Sequence, residues 1–184
     1  YRSKTDTEVI LAAYAKWGIE CLKRFNGIFA FALWDAQKEE LLLARDPMGV
    51  KPLYYALKDG VMIFSSEIKA LLEAGISRTL DREAFSRFIR IADAIGPNTM
   101  FRDVKKLPPA HYALVKGGDI TFTRYWTLEG TLKEQQRASV WQERIRSTLD
   151  AAVTRQLVSD RPVGVFLSGG IDSSAVLASV IRAQ

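Results

Sequence analysis

The residues best placed to do chemistry lie near the end of the chain, in the run Gly164-Val165-Phe166-Leu167-Ser168-Gly169-Gly170-Ile171-Asp172-Ser173-Ser174-Ala175-Val176-Leu177. An apolar stretch, a Ser/Gly turn and a helix opening on Asp172, Ser173 and Ser174 make a geometry that binds phosphate. Glycines let backbone N–H groups crowd round an anion, and the helix adds its unpaired N–H groups and positive dipole end. That dipole is worth only about 0.3–1 kcal/mol at an exposed site, so hydroxyls and a metal must add to it. Ser168, Ser173 and Ser174 supply the hydroxyls. Asp172 is a hard oxygen ligand suited to Mg2+.

A Walker loop needs a lysine that this run lacks, and a dinucleotide fingerprint needs Gly-x-Gly-x-x-Gly. The Gly-x-Ser-x-Gly elbow of serine hydrolases fails as well, because Phe166 stands two residues before Ser168. What remains, Ser-Gly-Gly-x-Asp-Ser after an apolar strand, resembles the pyrophosphate loop of ATP pyrophosphatases, which adenylate a substrate and release pyrophosphate. An ordinary strand-to-helix turn with a serine N-cap gives the same local pattern.

Few other residues offer chemistry. Cys21 is the single cysteine, so no internal disulfide can form and a reducing cytoplasm is expected. Its neighbours Ile19 and Leu22 are apolar, which reads as a buried, inert thiol. With His111 as the single histidine, a multi-histidine metal site has little to work with. His111 reads as structural. The net charge of +5 comes from scattered basic residues, Lys23-Arg24 and Lys105-Lys106 being the densest pairs, so no nucleic-acid stripe is expected. No apolar run approaches the ~18 residues of a membrane span, and no signal peptide opens the chain. With 48% hydrophobic and 26% charged residues, the 184-residue chain can bury one or two ordinary cores.

The elements that must position the loop follow from periodicity. Thr5 and Glu8 have capping-box spacing, and Val9, Ile10, Ala13, Tyr14 and Trp17 recur at helical intervals up to Gly18. Strands are expected over 28–34, 41–44, 53–57 and 61–64, with turns at 36–39, 46–49 and 58–60. Their short links predict an antiparallel meander. Short helices follow over 66–72 and 81–91, the second turning Phe85, Phe88 and Ile89 inward. A further hairpin joins 111–115 to 120–126 through Gly117-Gly118. The polar stretch 128–138 reads as a linker. Ser139 then caps a long helix, with Gln142 completing a second capping box and Ile145, Leu149, Ala152, Val153 and Leu157 as its core stripe. Residues 163–167 are the strand feeding the loop. An antiparallel half followed by a strand-loop-helix half predicts two domains of different class. A doubly wound sheet needs several more strand–helix units, so the chain is expected to be a window on a longer protein, cut at both ends.

The whole window resembles the glutamine-hydrolysing asparagine synthetases. The likeness rests on collinear stretches: Asp6-Thr7-Glu8-Val9-Ile10-Leu11, Gly27 to Asp35, Arg45 to Tyr55, Ser66 to Leu71, Lys106 to His111, Tyr125-Trp126 and Val163 to Ser174. The resemblance implies an incomplete N-terminal-nucleophile-type glutaminase over 1–127, an α+β antiparallel sandwich. After the linker, 139–184 would open an α/β parallel-sheet ATP-pyrophosphatase domain. Glutamine would be hydrolysed at the first site, and its ammonia would attack an aspartyl-adenylate at the second, giving asparagine, AMP and pyrophosphate. Asp6 matches the aspartate that holds the α-amino group of glutamine, although helix capping explains it too. Leu167, Ser168, Gly169, Gly170, Asp172 and Ser173 match the ATP loop, with Asp172 as the Mg2+ ligand. Arg45, Asp46 and Glu67 read as structural, through turn and sheet-edge ion pairing.

The implied cofactors are ATP and Mg2+, and the implied partners are glutamine, aspartate and ATP, with no nucleic acid or membrane; a homodimer stays open. Departures from the family pattern also carry expectations. The family nucleophile is an N-terminal cysteine whose own amine is the base, and Cys21 has no free amine. No catalytic residue is therefore assigned, and the chain alone is expected to be inactive. Ala110 stands where the family usually has glycine. Two other readings remain: a relative that amidates or cyclises another carboxylate, and a non-catalytic descendant kept for binding. A synthetase sharing only the loop does not explain the antiparallel first half.

Overall fold

The computed structural model describes residues 2–3, 5–91, 96–128, 130 and 135–183. They form two compact units, Tyr1–Glu129 and Gly130–Gln184. Of the expected linker 128–138, residues 129 and 131–134 lie outside the described ones.

The first unit opens with α1 (Asp6–Trp17), which stops before Gly18 as expected and runs on into a 3-10 helix, Gly18–Arg24. The capping box does not form. Thr5 occupies the N-cap without a side-chain bond. Glu8 instead accepts from the Arg2 and Ser3 N–H groups, upstream of the cap, because the preceding chain curls back over the first turn.

Among the described residues seven strands follow: β1 (Ala30–Asp35), β2 (Glu40–Arg45), β3 (Tyr54–Lys58), β4 (Val61–Ser65), β5 (Lys105–Lys106), β6 (His111–Lys116) and β7 (Asp119–Arg124). The expected pairs β1–β2, β3–β4 and β6–β7 all form, but the meander does not. Strand order is β1-β2-β6-β7 in one sheet and β4-β3-β5 in the other, every pairing antiparallel. The chain leaves the first sheet at Asp46, whose carboxylate accepts from the N–H groups of Met48, Val50 and Lys51 at 3.1 Å each. Coiled round that carboxylate, the link delivers β3 to the second sheet, and β6 takes the vacant edge of β2.

Packing is layered. Ala13, Cys21 and Leu22 press against Ala44 and Tyr125 on one face of the first sheet. Leu43 and Ala113 point the other way and meet Leu53, Leu107, Tyr55 and Met62 between the sheets. Ala56, Leu71, Ile76 and Val104 close the far side of the second sheet with α2 (Ile68–Glu73). Because both faces of the first sheet are covered, β2 buries Leu42, Leu43 and Ala44 in succession rather than alternately. Full burial of a leucine side chain stabilises by about 1.5–3 kcal/mol, so this strand is the centre of the unit.

Helix α3 (Arg82–Ile91) is capped by the Asp81 carboxylate, which accepts from the Glu83 and Ala84 N–H groups. Ala84 is its buried residue. Contrary to expectation, Phe85, Phe88 and Ile89 are exposed. Amphipathic spacing says that a face is apolar, and it does not say what covers that face.

In the second unit, α4 (Ala138–Gln156) packs on α5 (Ile171–Ala183). Arg137 is the N-cap of α4 and makes no side-chain cap bond, so Ser139 lies inside the first turn and the second capping box is absent. Leu149, Ala152, Val153 and Leu157 are half-buried while Ile145 is exposed. Residues 163–167, expected as a strand, form no regular element and pair with nothing among the described residues. A strand is defined by a neighbour's hydrogen bonds, and this unit offers none. The parallel sheet remains an expectation.

Candidate functional sites

Asp6 is the first residue of α1 and is exposed. It lines a cleft of about 380 Å3 together with Val9, Arg24, Asn26, Gly27 and Phe29. The 3-10 helix turns the chain back along α1, so that Arg24 and Asn26 line the same cleft as the aspartate. Spacing alone does not show this, and neither residue was singled out from the sequence. The cleft lining thus includes a carboxylate, an amide and Arg24, whose guanidinium lies over the Trp17 ring, 4.6 Å from its centroid.

The turn 168–170 and the start of α5 bring Ser168, Gly169, Gly170, Asp172 and Ser173 together. Gly169 has φ +80°, a left-handed conformation, and nothing lies within 4 Å of where a Cβ would stand. The loop braces itself through its hydroxyls. Ser173 Oγ accepts from the Ser168 N–H at 3.3 Å, lies 3.0 Å from Ser168 Oγ and donates to the Gly170 carbonyl at 3.2 Å. Ser174 donates to the same carbonyl through its N–H at 3.1 Å and its hydroxyl at 2.8 Å. The hydroxyls read from the sequence as anion donors therefore also hold the turn in shape.

Leu167 precedes this turn with its side chain largely exposed, and Phe166 is 99% exposed. Beneath them Leu149, Val153, Val165, Val176 and Val180 line an apolar cavity of about 410 Å3. Asp172 is exposed in the first turn of α5. Among the described residues no three His, Cys, Asp or Glu side chains gather to hold a metal ion. That donor set does not suit an all-protein cage. It fits Mg2+ carried on phosphate oxygens, which needs only one or two protein carboxylates.

The residues read as structural behave so. Arg45 donates to the carbonyls of Lys51, Leu107 and Gly49 at 2.7, 2.7 and 2.6 Å, so it ties backbone together rather than pairing at a sheet edge. Asp46 likewise serves backbone N–H groups, while Glu67 pairs with Lys69 in the open. His111 Nδ1 lies 2.7 Å from the Pro109 carbonyl. Cys21 is fully buried, and burial pushes its thiol up, away from the thiolate. Ala110, where glycine was expected from the resemblance, adopts φ +60° and is buried.

The chain belongs to the glutamine amidotransferase domain family, whose pattern matches residues 1–126. The asparagine synthase family matches residues 144–184. Among curated proteins, the chain is 40% identical to asparagine synthetase [glutamine-hydrolyzing] 3 of Bacillus subtilis, over 97% of this chain and 29% of that protein. It is 36% identical to a putative asparagine synthetase [glutamine-hydrolyzing] of Mycobacterium tuberculosis, over 96% of this chain and 28% of that protein. An amidase of Penicillium rubens, chyE, is 34% identical over 96% of this chain and 26% of its own length. The chain thus spans less than a third of each of these relatives.

Proposed function

We propose that this chain is the middle of a glutamine-dependent asparagine synthetase, joining the end of a glutaminase domain (1–127) through a linker (128–138) to the start of a synthetase domain (139–184). One observation carries the reading: a single collinear likeness runs through the Asp6 stretch and the Ser168–Ser173 loop, which lie in separate units. The division of the chain between residues 129 and 130 supports the domain limits.

In this reading the Asp6 carboxylate holds the α-ammonium of glutamine, and hydrolysis of the side-chain amide releases glutamate and ammonia. Leu167, Ser168, Gly169, Gly170, Asp172 and Ser173 hold the β- and γ-phosphates of ATP while the aspartate side-chain carboxylate attacks the α-phosphorus. Ammonia then displaces AMP from the acyl-adenylate. Mg2+, with Asp172 as its protein ligand, supplies charge neutralisation at the departing pyrophosphate. Backbone N–H groups at the start of α5 add to that neutralisation without reorganising. The only thiol in the 184 residues is buried Cys21, so this polypeptide by itself is not expected to hydrolyse glutamine. The reading places the enzyme in the cytoplasm; among the described residues no helix is long and apolar enough to cross a membrane.

A second reading keeps the mechanism and changes the acceptor carboxylate. Its ground is that one similar protein bears a name other than asparagine synthetase, the amidase chyE. The test is AMP and pyrophosphate formation from Mg·ATP and ammonia by the full-length protein, with and without aspartate. Aspartate-dependent AMP with asparagine is the expected result. Turnover only with another carboxylate selects the second reading, and no turnover with any carboxylate overturns both.

A further inference from the structure

Asp6 does not hold its place alone. Glu8 Oε1 accepts from the Arg2 N–H at 2.7 Å, and Glu8 Oε2 accepts from the Ser3 N–H and the Ser3 hydroxyl at 2.6 Å each. Ser3 Oγ in turn lies 3.1 Å from Thr5 Oγ1 and accepts from the Thr5 N–H at 3.4 Å. Hydrogen bonds therefore link Ser3, Thr5 and Glu8 into one ring, and Asp6 lies between the last two.

From this ring we infer that Glu8 is the positioning residue for Asp6, fixing the backbone that aims the Asp6 carboxylate into its cleft. The inference rests on the reading of Asp6 as the glutamine-side carboxylate. Helix ends fray because their first N–H groups lack intrahelical partners, and the Thr5 side chain does not cap α1. With no cap at Thr5, the Glu8 carboxylate is the group that fastens the incoming chain. The ionised form accepts these three bonds most strongly, and they, led by the Ser3 hydroxyl, hold the carboxyl below the usual carboxylate range. Further along, the helix is fastened by other contacts. Ala13 is buried, and the Tyr14 hydroxyl donates to Asp35 Oδ2 at 3.2 Å. Freedom released at Glu8 is therefore confined to the turn that carries Asp6.

Amide replacement tests this, because Gln offers one acceptor oxygen where Glu8 uses two. In the full-length enzyme, Glu8→Gln is expected to raise the KM for glutamine about tenfold while glutaminase kcat changes less than about twofold, the signature of a misaimed binding group. Asp6→Ala should also raise that KM, and adding Glu8→Gln to Asp6→Ala should change it no further, since Glu8 acts through Asp6. Ser3→Ala removes one of the three bonds and should move the KM the same way by a smaller factor. Synthesis from free ammonia, which does not use the cleft, reports whether each variant folds.

A wild-type KM in both Glu8→Gln and Ser3→Ala overturns the inference, and so do fully multiplicative effects of Glu8→Gln and Asp6→Ala. If Glu8→Gln loses both nitrogen sources through misfolding, Ser3→Ala decides alone. Failure of the wild-type enzyme to use glutamine, or of Asp6→Ala to affect its use, sinks the reading of Asp6 itself. Glutamine use that depends on Asp6 but not on Glu8 sinks this inference only.

Discussion

The Tyr125 hydroxyl donates to the backbone carbonyl of Arg45 across 2.8 Å, joining points 80 residues apart in the sequence. Burial pushes this hydroxyl up, and the Asp46 charge adds to the effect, so it stays protonated as a donor. The same Arg45 holds three other carbonyls through its side chain. Removing the donor with Tyr125→Phe leaves a buried carbonyl short of a partner at nearly constant volume. The expected cost is about 1–2 kcal/mol, read as a lower urea midpoint with an unchanged m value.

Gly49 is the tightest glycine in the first unit. Its φ is +64°, and a Cβ would stand 2.8 Å from Pro109 Cγ and 3.1 Å from Arg45 Cζ. Its N–H donates to the Asp46 carbonyl and its own carbonyl accepts from Arg45. Gly49→Ala therefore combines left-handed strain with overpacking, and should cost about 2–4 kcal/mol. Equilibrium unfolding checks it. A neutral result would mean that the turn relaxes more freely than its hydrogen bonds suggest.

Asp172→Asn keeps the shape of the loop and removes the charge proposed to meet the metal. In the full-length protein it should depress ATP-dependent synthesis about a hundredfold or more while sparing glutaminase turnover. Parallel assays with ammonia and with glutamine make the separation. Equal loss of both activities would point to misfolding instead.

The pair that fastens α5 to α4 is pH-dependent. Arg182 Nε and Nη2 donate to Asp150 Oδ2 and Oδ1 at 3.1 and 2.6 Å, a two-pronged contact. The Arg182 hydrogen bonds, then that of Ser179, lower the Asp150 carboxyl from its ordinary 3.8. A depressed folded value means that this stabilisation is present above the unfolded pKa and lost as pH falls through the folded one. Thermal midpoints of wild type and Asp150→Asn should therefore differ at neutral pH, begin to converge as pH falls past the ordinary 3.8 and meet only below the lowered folded value. A gap that persists in acid would assign the difference to packing.

Much of the local structure was legible. Alternating and apolar runs placed the β1–β2, β3–β4 and β6–β7 hairpins, because each is decided by neighbours in sequence and a short turn. The partner of β2 was not. A short link between β2 and β3 suggests adjacency, and only the Asp46 carboxylate, gathering three N–H groups round itself, sends β3 elsewhere. Likewise the run 163–167 advertises a strand, yet pairing needs a second strand that periodicity does not name.

For the candidate sites the division is similar. The Ser-Gly-Gly-Ile-Asp-Ser order by itself determined a turn running into a helix with Asp172 in its first turn, since local chain geometry suffices for that. The Thr5 to Glu8 spacing correctly marked a helix start, but which N–H groups Glu8 accepts from depends on how the preceding chain folds back. Arg24 and Asn26 line the same cleft as Asp6 only because a 3-10 helix turns the chain between them. Residue types and spacing decide turns and helix starts, where the interacting groups are a few bonds apart. Strand order and the cleft that Asp6 lines arise from contacts between segments farther apart, and those exist only once burial has brought the segments together.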